Sequence, residues 1–354
     1  MEMRIHPQDV LNALRRVRDV SSQCDIVSLG YVKDIEVAGE GRVSFALELP
    51  NPQDAASEQL VTAAQDAVRA LGANNVQVRV VAPTGPMPGT PSRLIPQVRY
   101  TIAVASGKGG VGKSTVAANL AIALMRAGNK VGLMDTDVYG PSVPTLMGAG
   151  SEPHVVEGKI EPPVQYGIKI ISMAYFLPKD EAVIWRGPML HKTVQQFLGE
   201  VRWGELDYLV IDLPPGTGDI QLSLSQTIPL TGAVIVSTPQ DLALTVASKA
   251  IAMFQKLHVP ILGIVENMSS YICPQCGHQE SIFGHGGARA AAAKMGFAFL
   301  GEIPLDTRIR THSDAGKPVA LDDTTPYGKP FMEIAGALAQ QVAAIRADES
   351  IEIE

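Results

Sequence analysis

An apolar run at 101–105 leads into Gly107-Lys108-Gly109-Gly110-Val111-Gly112-Lys113-Ser114-Thr115, and a helical pattern follows at 115–127. This stretch satisfies G-x-x-x-x-G-K-[ST] at every fixed position. No other feature constrains the chain as strongly. The glycines let backbone N–H groups turn inward and ring a β-phosphate. The helix that begins here adds its unpaired N–H groups and the positive end of its dipole. Lys113 offers an ammonium to the β- and γ-phosphates of ATP, and Ser114 offers a hydroxyl to Mg²⁺.

The same residues contain G-x-G-x-x-G, as Gly107, Gly109 and Gly112, and Asp135 ends the next apolar run. A dinucleotide site is therefore a formal rival. Three features favour the phosphate loop. Lys113-Ser114 follows the last glycine directly. Asp212 ends an apolar strand, where a magnesium-side carboxylate belongs. Pro214-Pro215-Gly216-Thr217-Gly218 then forms a loop suited to sensing a γ-phosphate, with Gly216 as a nucleotide contact.

Short apolar runs recur at 131–134, 168–173, 208–212, 232–237 and 261–267, separated by helical patterns such as 244–257. Strands covered on both faces read as nearly continuous apolar runs. Helices of this length support right-handed crossovers. The expected fold is α/β, a doubly wound and mostly parallel sheet over 100–346, closed by an acidic tail at 347–354. Pro83, Pro86, Pro88, Pro91 and Pro96, with Gly85 and Gly89, mark 83–99 as a semi-extended linker. Residues 1–82 read as a small α+β domain. Val10, Leu11, Leu14 and Val17 keep helical spacing, and strands are expected at 31–37, 42–49 and 76–81. A turn at 38–41 and a helix at 55–71 connect them.

Hydrophobic residues at 46% and charged residues at 18% describe a chain able to bury a core. A net charge of -7 disfavours nucleic acid as the main partner. No apolar run approaches the ~18 residues of a membrane span, and the first residues lack the apolar core of a secretory signal. Cys24, Cys273 and Cys276 are the only cysteines, which suits a reducing compartment and points to the cytoplasm.

Cys273-Pro-Gln-Cys276 places two thiols on one turn, able to grip one metal centre. Thiolate sites usually want four ligands. Cys24 lies in the other domain, so one chain is short. A symmetric dimer supplies two pairs, enough for a bridged [4Fe–4S] cluster or a bridged Zn²⁺. A redox dithiol, a one-chain zinc site using His278 or His285, and unligated cysteines remain open at this point. Spacing does not separate iron from zinc.

The motif from Lys108 to Ser114 resembles the deviant phosphate loop of the MinD, ParA and nitrogenase iron-protein class. Asp135-Thr-Asp-Val-Tyr-Gly-Pro-Ser142, Trp185-Arg-Gly-Pro-Met189, Asp212-Leu-Pro-Pro-Gly-Thr-Gly-Asp219, Ser237-Thr-Pro-Gln240, Glu266-Asn-Met268, the cysteine pair and Ile303-Pro-Leu-Asp306 follow in order. Together they resemble the Mrp/ApbC branch of that class, iron–sulfur cluster carriers that bind and hydrolyse ATP. The resemblance implies a nucleotide sandwich homodimer, with Lys108 crossing to the partner's phosphates. It implies that Asp137 helps position the attacking water and that Asp135 stands on the metal side, although Asp135 as the cap of a following turn is the plainer alternative. It implies adenine recognition by Asn267, a base pocket lined by Pro304 and Asp306, and a [4Fe–4S] cluster held between subunits by Cys273 and Cys276. Recipients would be iron–sulfur apoproteins, with a scaffold or donor protein upstream.

The first domain resembles the MIP18 family through Asp25-Ile-Val-Ser-Leu-Gly30 and 43–50. Many members carry a cysteine after the second strand. Here Pro50-Asn-Pro-Gln-Asp-Ala55 has none, so Cys24 is not given that role and the domain is expected to be a docking module. Two other classes compete for the whole chain. A ParA- or MinD-like positioning ATPase needs a DNA surface or a C-terminal membrane helix, and the acidic C-terminus suits neither. A zinc or nickel chaperone NTPase would differ in the metal it carries.

Overall fold

The computed structural model describes residues 6–18, 25–27, 31–38, 42–49, 55–81, 94–176, 187–216, 219–273 and 275–351. Cys24, the turn residues 39–41, the family-like segment 50–54, the proline-rich stretch 82–93, Trp185-Arg186, Thr217-Gly218 and Pro274 lie outside them. The chain divides into two compact units, Met1–Met87 and Pro88–Glu354.

The first unit runs α1 (Pro7–Leu14), β1 (Val32–Ala38), β2 (Arg42–Glu48), α2 (Ala55–Arg69) and β3 (Asn75–Val81). Pro7 sits in the first turn of α1, where its missing N–H is no loss. β2 pairs antiparallel with β1 and parallel with β3, so α2 is the crossover between two parallel neighbours. Val10 and Leu14 of α1, Phe45 and Leu47 of β2, and Leu60, Ala64 and Val68 of α2 are buried in one apolar cluster.

The second unit opens with β4 (Val98–Ala105), which begins three residues before the apolar run expected from Thr101, and α3 (Lys113–Arg126). β5 (Val131–Asp135), α4 (Val143–Met147), the short strands β6 (His154–Val156), β7 (Lys159–Glu161) and β8 (Val164–Gln165), and β9 (Ile168–Ser172) follow. Then come α5 (Gly187–Gly199), β10 (Leu206–Asp212), α6 (Asp219–Thr227), β11 (Gly232–Ser237), α7 (Asp241–Lys256) and β12 (Ile261–Ile272). β13 (Gln279–Glu280), α8 (Gly287–Met295), β14 (Phe299–Leu305), α9 (Thr307–Asp314) and α10 (Lys329–Ile351) complete it. The region read as an acidic tail from 347 continues α10 as far as Ile351.

The main sheet has the order β13-β12-β11-β4-β10-β5-β9-β8, with β14 also on β12. Its pairings are parallel except β8 with β9 and β12 with β13. The burial pattern explains why its strands read as unbroken apolar runs. In β4, Ile102 and Val104 enter the cluster shared with α3 and α10, while Ala103 and Ala105 enter the opposite cluster with α5 and α7. Tyr208 and Val210 against Leu209 and Ile211 repeat this alternation in β10. Both faces are dry, so neither carries the polar residues that mark a solvated face. β4 lies between β10 and β11, and the chain leaves it at the carboxyl edge, where open α/β sheets bind ligands.

Candidate nucleotide and cysteine sites

Gly112 ends the glycine-rich loop with φ 81° and begins α3. A Cβ there would stand 2.3 Å from Asn267 Nδ2, so both backbone and neighbour require glycine. The loop is braced by Ser106 Oγ, which donates to the Lys108 carbonyl at 2.9 Å. From the other side, Gly216 N–H donates to the Ser106 carbonyl at 3.0 Å, which sets the Pro214–Gly216 segment beside the loop. Thr115 contributes its carbonyl to Asn119 Nδ2 at 2.9 Å inside α3.

Lys113 is only 5% exposed. Its Nζ lies 2.6 Å from Asp212 Oδ1 and 3.5 Å from Asp137 Oδ2. Ser114 Oγ donates to Asp212 Oδ2 at 2.5 Å. Strand register produces this gathering: Asp212 at the end of β10 pairs with Asp135 at the end of β5. Asp135 accepts from the backbone N–H groups of Asp137 and Val143 and from Ser172 Oγ. It is therefore the buried cap of the turn that carries Asp137. Burial, and then the charge of Asp212, push the Asp135 carboxyl up to about 7. Asp212 is also raised, by burial first, with Lys113 opposing. Asp137 Oδ1 accepts from the N–H groups of Tyr139 and Gly140, leaving Oδ2 toward Lys113. Three buried carboxylates thus face one buried ammonium. Hard oxygen donors with excess negative charge, and a serine hydroxyl among them, fit a magnesium ion.

Lys108 Nζ donates to Gln240 Oε1 at 3.3 Å, within its own chain. Sequence reasoning did not single out Gln240 as a partner, although it closes the Ser237–Gln240 segment. Ser172 was missed as well, because nothing in the sequence of β9 marks the residue that will face Asp135.

Asn267 is buried, and its Nδ2 donates to the Val111 carbonyl of the loop at 2.7 Å. The next residue, Met268, has φ 60°, a conformation uncommon for a side-chain-bearing residue. Pro304 occupies the penultimate position of β14. Asp306 caps α9 by accepting from Arg308 N–H and also pairs with the Arg308 guanidinium. The hydrogen bond from Arg308 holds its carboxyl below the usual carboxylate range. Arg308 in turn lies over the Tyr327 ring at 4.5 Å.

β12 runs past the expected end at 267 to Ile272 because β13 returns along it as a hairpin arm. Cys273 and Cys276 form the tip of that hairpin. Cys273 N–H donates to the His278 carbonyl at 2.8 Å, and Gly277 N–H donates to the Cys273 carbonyl at 2.9 Å. Both thiols are free, and Cys276 is exposed. The Cys276 and Gln275 backbone N–H groups and the Cys276 thiol draw the Cys273 thiol below its usual range. Among the described residues, no third His, Cys, Asp or Glu joins these cysteines in a ligand-sized group. His285 instead gathers with Glu266 and Glu302. Glu266 there accepts the N–H groups of Gly286 and Ala288 at the start of α8.

Residues 97–339 match the model of the ParA family, described as NUBPL iron-transfer P-loop NTPase. Residues 7–80 match that of an iron-sulfur cluster assembly protein family. The chain is 46% identical over 342 residues to the iron-sulfur cluster carrier protein of Deinococcus radiodurans, covering 94% of this chain and 95% of the relative. It is 43% identical to the iron-sulfur cluster carrier protein of Synechocystis sp., covering 94% and 96%. Among solved structures it is similar to the nucleotide-binding protein of Archaeoglobus fulgidus in complex with ADP. The TM-score is 0.59 and the identity 42%, over 67% of this chain and 93% of that one. Among the described residues, no helix is long and apolar enough to cross a membrane.

Proposed function

Since the chain belongs to the NUBPL iron-transfer P-loop NTPase family, we propose that it is an ATP-hydrolysing carrier of a [4Fe–4S] cluster, which it delivers to apoproteins. One observation carries this reading: a two-cysteine hairpin tip, with Cys276 exposed, continues the strand that also touches the phosphate loop. Two thiolates per chain are half of a cluster's ligands, so the cargo bridges a homodimer. Exposure suits a carrier, because buried and rigid ligation would resist release.

ATP binds with its phosphates in the loop from Gly107 to Thr115, and Lys113 leaves Asp212 to meet the β- and γ-phosphates. Asp137 orients the attacking water, Gly216 follows the γ-phosphate, and Asn267, with Pro304 and Asp306, borders the base. Ser114 and Asp212 would hold Mg²⁺, with Asp135 behind them, and the ion would neutralise developing phosphate charge. Lys108, released from Gln240, reaches the partner subunit's phosphates. Tyr139, 74% exposed two residues after Asp137, offers an apolar ring for that partner to cover. The first unit serves as a docking module for recipients or for a donor scaffold. The carrier works in the cytoplasm, without nucleic acid or membrane.

The test is iron and sulfide content after anaerobic reconstitution, together with the oligomeric state. About two irons per chain in a dimer is the expected result. Four irons per monomer would refute the bridge. Zinc or nickel in place of iron would move the chain to the metal-chaperone class.

A further inference from the structure

β12 connects the two sites directly. Asn267 holds the Val111 carbonyl of the phosphate loop at 2.7 Å, and the same strand reaches Cys273 six positions later. The contact is buried, so water does not compete for the Val111 carbonyl. Met268, just after the contact, has φ 60°, outside the range of regular strand backbone. The pairing of β12 with β14 also shifts register between Asn267 and Tyr271. The segment from Met268 to Ser270, between those two paired positions, is therefore the part of the strand least fixed by a regular ladder.

The phosphate loop cannot stay as it is when nucleotide arrives. Lys113 must exchange its 2.6 Å contact with Asp212 for phosphate oxygens, and the loop amides must close around those oxygens. Val111 lies two residues before Lys113, and its carbonyl is the loop group that Asn267 holds.

We infer that Asn267 is a positioning residue that transmits the state of the phosphate loop to the cysteine hairpin through its bond to the Val111 carbonyl. This rests on the carrier reading for its biological use, but not for its test. Coupling of this kind is reciprocal: whatever nucleotide does to the hairpin, cargo on the hairpin does to nucleotide affinity.

The hairpin supplies its own reporters, the Cys273 N–H bonded to His278 and the Gly277 N–H bonded to Cys273. Hydrogen exchange at these two amides is measured on the full chain without cargo, with and without a saturating non-hydrolysed ATP analogue and Mg²⁺. In the wild type, nucleotide should change their protection by about 5- to 150-fold, the usual span of coupling between sites. In Asn267→Ala and Asn267→Leu the change should fall below about 2-fold. The leucine variant keeps the branched shape and the number of side-chain heavy atoms while removing the whole amide, so it guards against a cavity artefact of the alanine variant.

Equal nucleotide response in wild type and both variants overturns the inference, as does a wild type that shows no response. If Asn267 serves only to read adenine, the variants will lose preference for ATP over GTP while their hairpin response at saturation persists. That outcome also overturns it. Failure of the wild type to take up iron sinks the carrier reading but leaves this experiment fully readable.

Discussion

Replacing Gly112 with alanine tests the packing between the phosphate loop and β12. Gly112 has φ 81°, and a side-chain-bearing residue held in that region costs about 1–2 kcal/mol. The added Cβ would also stand 2.3 Å from Asn267 Nδ2, so the amide must leave the Val111 carbonyl. Stranding a buried hydrogen-bonding group costs about 1–3 kcal/mol. The sum, about 2–5 kcal/mol, is a large share of the 5–15 kcal/mol that holds a typical domain together. Gly110 is the control. It has φ 80° but nothing within 4 Å of a built Cβ, so Gly110→Ala should cost only the backbone part. Adding Asn267→Ala to Gly112→Ala removes the clash, and the double variant should lose about 1–3 kcal/mol less than the two single losses added. Urea unfolding of the nucleotide-free protein by tryptophan fluorescence measures this. Both tryptophans, Trp185 and Trp203, belong to the second unit, so the signal reports that unit alone. Equal losses for Gly110→Ala and Gly112→Ala, or strict additivity with Asn267→Ala, would refute the reasoning.

Other outcomes follow from the same geometry. Lys113→Ala should abolish ATP hydrolysis, since its Nζ is the only side-chain cation placed against Asp212 and Asp137 among the described residues; a phosphate-release assay showing wild-type turnover would remove it from the site. Lys108→Ala should still bind nucleotide but hydrolyse it poorly, and mixing it with Lys113→Ala distinguishes action across the dimer from action within one chain; full activity in Lys108→Ala alone contradicts any such action. Cys273→Ala or Cys276→Ala should lose iron after anaerobic reconstitution while ATP binding is retained, and unchanged iron in either would place the cargo elsewhere. Asp135 is raised from 3.8 to about 7 in the folded, nucleotide-free protein. Its contribution to stability is therefore fully present below about pH 4 and is lost as pH rises through about 7. Asp135→Asn should flatten that decline, and identical pH profiles for the two proteins would show that the group does not titrate there.

The phosphate loop was legible because its glycines, Lys113 and Ser114 act through fixed local spacing. The sheet was legible because Ile102 to Ala105 and Tyr208 to Ile211 are apolar on both faces, which only a covered parallel strand tolerates. Long-range partnerships were not legible. Gln240 meets Lys108 across 132 positions, and Asn267 meets Val111 across 156. Neither pair follows from a local period, since each depends on which strands become neighbours. The extension of β12 to Ile272 was hidden for a related reason: Ser269 and Ser270 break the apolar run, and the ladder resumes only at Tyr271, which pairs with both β13 and β14. The cap role of Asp135 was among the readings its place before a turn allowed, whereas that of Asp306 turned on hydrogen bonds from Arg308 that the sequence does not announce.

The hairpin that carries the cysteines has a consequence for how the molecule breathes. Its returning arm, β13, is two exposed residues long and shares only two ladder positions with β12, at Tyr271 and Ile272. The strands around the phosphate loop are instead buried on both faces and paired on both sides. Opening free energies within one protein range from nearly zero at such tips to the full unfolding value in such strands. The hairpin can therefore fray and re-form many times while the nucleotide platform stays intact. Grip on a ligand at the tip is set by a fluctuation that costs little, whereas grip on phosphate is set by the most cooperative part of the fold.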